Sequence, residues 1–174
     1  MRKVFVLLSI LGVGLLECDT HKVVDASSNV SHLLNGRCIE LETSVFVLHR
    51  TDQSRKFMKV PSRTLALPST TLTPFPIASF RQGRPMYTPY GIVESVLPQG
   101  GRLRLSRILI KYGFEGSTLA IVAVTEGGTE VETSYLFDDL ALVHLLDGAE
   151  GAGPVPRMGE LLNPRYAKWC VARE

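Results

Sequence analysis

Three thiols are the side chains of this 174-residue chain best suited to covalent chemistry: Cys18, Cys38 and Cys170. A cysteine can hold a metal, pair with a second cysteine or accept an alkyl group through a thioether. Metal binding needs clustered ligands, and the three stand far apart with no C-x-x-C or H-x-x-x-H nearby. Pairing leaves one of three over, and in an exported chain that residue needs its own account. The surroundings of Cys18 bear on which one it is.

Arg2 and Lys3 open the chain with positive charge, and Val4–Leu16, "VFVLLSILGVGLL", then runs uncharged. As a helix this run would reach about 20 Å, short of a bilayer core of about 30 Å. A positive start, a short apolar middle and a polar exit make a secretory signal peptide. Two exits compete. One is a cut after Ala26, at "VDA", ten residues beyond the apolar run. The other makes Cys18 the first mature residue. "LLEC" resembles the bacterial lipobox in its leucines and its Cys, with Glu17 where a small residue is usual. That resemblance implies a lipid on Cys18 and an anchor in a membrane. Cys38 and Cys170 then remain as a disulfide pair, in keeping with an oxidising compartment. The bridge closes a loop of more than a hundred residues, which is worth about 4–5 kcal/mol in the loop-entropy model.

Other reactive side chains give no motif. His21, His32, His49 and His144 are each isolated, and neither G-x-S-x-G nor H-E-x-x-H occurs. Asp138-Asp139 offers either half of an acid–base site, with His49 or His144 as partner, or a turn and helix cap. A net charge of +2 excludes the basic excess of a dedicated nucleic-acid binder. Arg102 and Arg104, with Arg107 and Lys111, form a basic set able to meet anionic groups or simply to face solvent. Tyr87, Tyr90, Tyr112, Phe114 and Tyr135 are candidates to line a peptide groove, or else to pack in the core and loops. No residue set points to a metal or a cofactor.

These side chains need elements to hold them. Residues 18–36 are polar and small, which reads as a flexible tether, so 1–17 is the signal peptide and 37–174 a single β-rich domain. "CIEL" alternates, with Ile39 and Leu41 on one face, and "VFVL" after it is continuously apolar, so both read as strands. "RKFMKV" and "RTLAL" are short strand candidates. Residues 67–98 carry six prolines and form a long irregular insertion, yet Leu72, Ile77, Phe80 and Met86 punctuate it, so it packs on the domain. "RLRLSRILI" alternates with a phase change at Ser106-Arg107. "STLAIVAVTEGGTEVETSYLF" reads as two strands joined at Gly127-Gly128. "DDLALVHLL" is a final strand or a short helix.

The stretch from Gly91 to Phe137 resembles bacterial Src-homology-three-like domains, with Leu97, Gly100, Leu103, Leu105, Tyr135 and Leu136 at matching places and Leu119 where that family has a Trp. "NGRCIELETSVFVL" with "LPQGGRLRLSRI" is similar to exported bacterial lipoproteins of uncharacterised function. The alternating segments read as a mostly β, antiparallel domain with a long Pro-rich insertion and one or two short helices, and the resemblances imply that it is a small Src-homology-three-like barrel. The chain is expected to be an exported, membrane-anchored protein of the bacterial envelope, facing the periplasm or the exterior. Its domain is expected to bind a protein or an envelope polymer without catalysis. The alternatives are an envelope hydrolase with a scattered Asp/His site and a structural subunit of an envelope assembly.

Overall fold

The computed structural model describes residues 22–34, 36–51, 60–113 and 116–171. The signal segment, Cys18, Phe114 and most of "RKFMKV" lie outside them.

The described residues form a ten-stranded sheet with two α-helices. In chain order the elements are β1 (Lys22–Asp25), α1 (Ser27–Leu34), β2 (Cys38–Leu41), β3 (Val45–Arg50), β4 (Arg63–Ala66), β5 (Met86–Thr88), β6 (Gly91–Leu97), β7 (Arg102–Gly113), β8 (Gly116–Thr125), β9 (Glu130–Glu132), α2 (Asp139–Glu150) and β10 (Ala167–Trp169). The strand order is β10-β2-β7-β8-β9-β4-β3-β6-β5, and β1 also pairs with β7. Every pairing is antiparallel except the single β4–β9 contact, Thr64 to Glu132. Strands β10 and β5 end the order, each with no strand on its outer edge among the described residues, so the sheet is open. The expected closed barrel is not formed: β4 meets β9 over one residue pair, and among the described residues no strand joins β5 to β10.

The second correction concerns residues 18–36. The part from Lys22 on is no tether. Lys22 pairs with Tyr112 and Asp25 with Leu109, and Ala26 N–H donates to the Ile108 carbonyl. Strand β2 then continues down the same edge of β7, with Cys38 opposite Arg104 and Glu40 opposite Arg102. Helix α1 is thus a detour between two segments that share one edge. It is polar enough to look like a linker, but Val30 and Leu34 fall four apart on one face and are both buried. One apolar stripe on a short helix is little signal beside Ser27, Ser28, Asn29, Ser31 and His32.

Burial follows the pleat. Along β2, Ile39 and Leu41 face the main core, where they join Leu103, Leu105, Ile108 and Ile110 of β7, Ile121 and Ala123 of β8, and Leu145 of α2. The run Val45–Leu48 is buried on both faces. Val45 and Val47 enter the main core, while Phe46 and Leu48 join Ala66 and Val93 in a cluster on the opposite face. Leu72, Ile77, Phe80 and Met86 of the Pro-rich insertion cover that cluster. An insertion that lacks ladder donors is thereby held by side chains instead.

Strand β7 keeps its apolar residues inward through a bulge. Leu105 pairs with Ala123 and Arg107 with Val122, which leaves Ser106 unopposed. Ser106 Oγ donates to the Val122 carbonyl at 3.1 Å. Were Ser106 held in regular alternation instead of bulged out, Ile108 and Ile110 would point away from the core that holds Leu103 and Leu105. "DDLALVHLL" is helical: Asp138 Oδ1 accepts from Leu140 and Ala141 N–H, and Gly151 closes α2 at φ 76°.

The disulfide joins Cys38 to Cys170, 132 residues apart, one rung beyond the Ile39–Trp169 pair. It fixes the end of the chain to β2, where Cys170 N–H also donates to the Cys38 carbonyl at 2.9 Å.

The structured state of α1 has a measurable consequence. Leu34→Ala is expected to destabilise the domain by about 2–5 kcal/mol, the usual range for a buried Leu truncation. Urea unfolding of the two proteins checks this; an unchanged midpoint would mean that α1 does not pack on the core.

Candidate functional site

The richest polar surface lies across β10, β2, β7 and β8, on the face away from the main core. Alternation puts Arg102 and Arg104 there because Leu103 and Leu105 point inward. Two rungs cross the strands. In the first, Lys168 of β10 stands opposite Glu40 of β2, and Glu40 opposite Arg102 of β7. In the second, Cys38 stands opposite Arg104, and Arg104 opposite Val124 of β8.

The first rung is saturated with ion pairs. Arg102 donates to Glu40 Oε2 from Nε at 3.2 Å and from Nη2 at 3.1 Å. Lys168 Nζ reaches Glu40 Oε1 at 3.3 Å and Glu42 Oε1 at 2.6 Å. The Arg102 hydrogen bonds, then those of Lys168, hold the Glu40 carboxyl below its ordinary range. Glu42, then Glu40, raise the Lys168 ammonium above its own. Arg107 is likewise paired, to Glu130 Oε2 at 2.8 Å. Arg104 differs. It is exposed, and among the described residues it makes no ion pair.

Arg104 lines an open groove of about 530 Å³ beside the disulfide. Cys38, Leu103, Val124 and Thr125 form its floor and wall, and Glu126 and Gly128 of the β8–β9 turn close one end. The turn is the predicted Gly-Gly hairpin, with Gly128 in the left-handed region at φ 79°. One unengaged guanidinium over a partly apolar floor can take an anionic group by charge-assisted hydrogen bonds.

The aromatic set does not gather. Tyr87 and Tyr90 lie at the β5 edge and are exposed. Tyr112 is on β7, with five strands between, and packs against the main core. Tyr135 is half exposed in the 3₁₀ turn Ser134–Leu136 before α2. Alternation within each strand was legible, but the distance between strands was not, because it depends on sheet order.

The Asp/His constellation is similarly dispersed. Asp138 is occupied as the α2 cap. His49 Nδ1 sits 3.1 Å from Glu94 Oε1, and that Glu is also gripped by Arg63 at 2.6 Å. His144 is exposed on α2. Among the described residues, no group of three His, Cys, Asp or Glu is placed to hold a metal, and no helix is long and apolar enough to cross a membrane. Comparison with protein-family models, with curated proteins and with solved structures gives no match.

Sequence reasoning missed Glu40 as the partner of Arg102. The signal was present as opposite charges on two alternating segments, but nothing local pairs residues 62 apart. The pairing has a pH signature. Because the folded-state Glu40 is more acidic than in the unfolded chain, its contribution is present above the ordinary carboxylate range and is lost as pH falls below it. Denaturant midpoints of the native protein are expected to drop more steeply in acid than those of Glu40→Gln; parallel curves would show that the rung carries no pH-dependent stability.

Proposed function

We propose that this chain is an exported bacterial envelope protein, held to a membrane by a lipid on Cys18, whose domain is a non-catalytic binding module. The observation that carries the reading is where β1 begins. Lys22–Asp25 pairs with β7 across four rungs, and Ala26 N–H bonds to Ile108. A signal cut after Ala26 would strip that strand from β7. A cut before Cys18 keeps the strand, leaves Cys18 as the odd thiol and agrees with the pairing of Cys38 with Cys170. An oxidising compartment suits that pair.

The groove at Arg104 is the module's ligand contact in this reading. The ligand class is an extended protein segment or envelope polymer that bears anionic groups. The guanidinium supplies the charge, and Val124 supplies apolar contact. Neighbouring cations are already spent on Glu40 and Glu130, so specificity falls on one side chain.

Two experiments test the halves of this reading. In a bacterial host fed labelled palmitate, the protein is expected to take up label, and Cys18→Ser to lose it; equal labelling, or none in either, contradicts the anchor. On an immobilised sulfated polysaccharide, used as a generic anionic polymer, Arg104→Glu is expected to bind about tenfold more weakly, the equivalent of roughly 1.4 kcal/mol. Unchanged retention would remove the groove from the account.

A further inference from the structure

The place of β1 also fixes which end of the domain meets the membrane. Only Asp19, Thr20 and His21 separate Cys18 from Lys22. Whatever path they take, four residue steps span at most about 14 Å. Lys22 is the first residue of β1 and lies opposite Tyr112, which in turn lies opposite Ser117 beside the β7–β8 hairpin. Lys22 is thus at the β7–β8 hairpin end of the sheet, and a lipid on Cys18 lies within about 14 Å of that end.

From these distances we infer that the β7–β8 hairpin end rests on the lipid surface and that the Arg104 groove faces away from it. The inference depends on the proposed lipid at Cys18. Lys22 is exposed at this end, and Lys111 stands one rung further along β7 opposite Val23. Two ammonium groups there suit anionic headgroups. The groove lies at the other end of the same hairpin. From Ser117 to Glu126 is nine residues of strand and turn, about 30 Å at the usual rise. A short spacer thus acts as an orienting device: it is too short to let the domain turn over, and it presents the groove outward at a set height.

The test uses full-length protein expressed in a bacterial host, purified with its lipid and placed in phosphatidylcholine–phosphatidylglycerol vesicles carrying a headgroup quencher. A fluorophore is attached at Thr118→Cys or at Glu126→Cys, both exposed positions, with the native disulfide verified by mass. The label at 118 is expected to lose most of its emission and the label at 126 to keep it. Inserting about twenty Gly/Ser residues after Cys18, with a mean reach of about 25 Å, is expected to abolish the difference. Equal quenching at both positions in a lipidated protein overturns the orientation while leaving the anchor intact. A protein without lipid overturns the anchor itself, and the orientation with it.

Discussion

The fold depends on the hydrogen-bonded edges of β7. Its twelve residues serve three strands. One edge receives β1 along Leu109–Tyr112 and β2 along Arg102–Arg104, and the other receives β8 along nearly its whole length. A strand that long cannot alternate faithfully against a two-sided environment unless its phase is corrected, and the bulge at Ser106 makes that correction. Leu103 and Leu105 before it and Ile108 and Ile110 after it then share one core with both helices. Because β1 and β2 lie on the same edge, the residues between them must leave the sheet and return. Helix α1 is that excursion, and it is anchored by Val30 and Leu34.

The outer face follows from the same pairing. The register that sets Glu40 against Arg102 also sets it against Lys168, so one carboxylate serves two cations and the end of the sheet is tied together electrically as well as by the Cys38–Cys170 bond. Arg104 occupies the next rung, opposite a cysteine and a valine, and among the described residues it meets no acid. Its freedom is a consequence of register rather than of a local motif. The proposed ligand contact lies at one end of the β7–β8 hairpin and Lys22, the start of β1, at the other, the basis of the proposed outward side.

Much of the local structure was legible in the sequence. The strands at "CIEL", "VFVL" and "RLRLSRILI", the phase change at Ser106, the Gly-Gly hairpin and the packing of the Pro-rich insertion all follow from alternation, turn chemistry and the missing proline donor. The disulfide followed from the odd count once Cys18 was set aside. What could not be read was long-range placement. Whether the sheet closes depends on how β5 and β10 end, and neither three-residue strand announces its edge status. The tyrosines form a set by residue type alone, and sheet order separates Tyr87 from Tyr112. Residues 22–34 looked like a linker because their stability comes from β7 and the core, partners more than seventy residues away in the chain.

Intact mass measurement of the mature protein from a bacterial membrane fraction, without reduction, tests the central claim most directly. The account predicts a chain that starts at Cys18, carries added acyl mass and lacks two hydrogens for the Cys38–Cys170 bond. A mature chain that starts at Ser27, or a Cys18 that is present and unmodified, would contradict it.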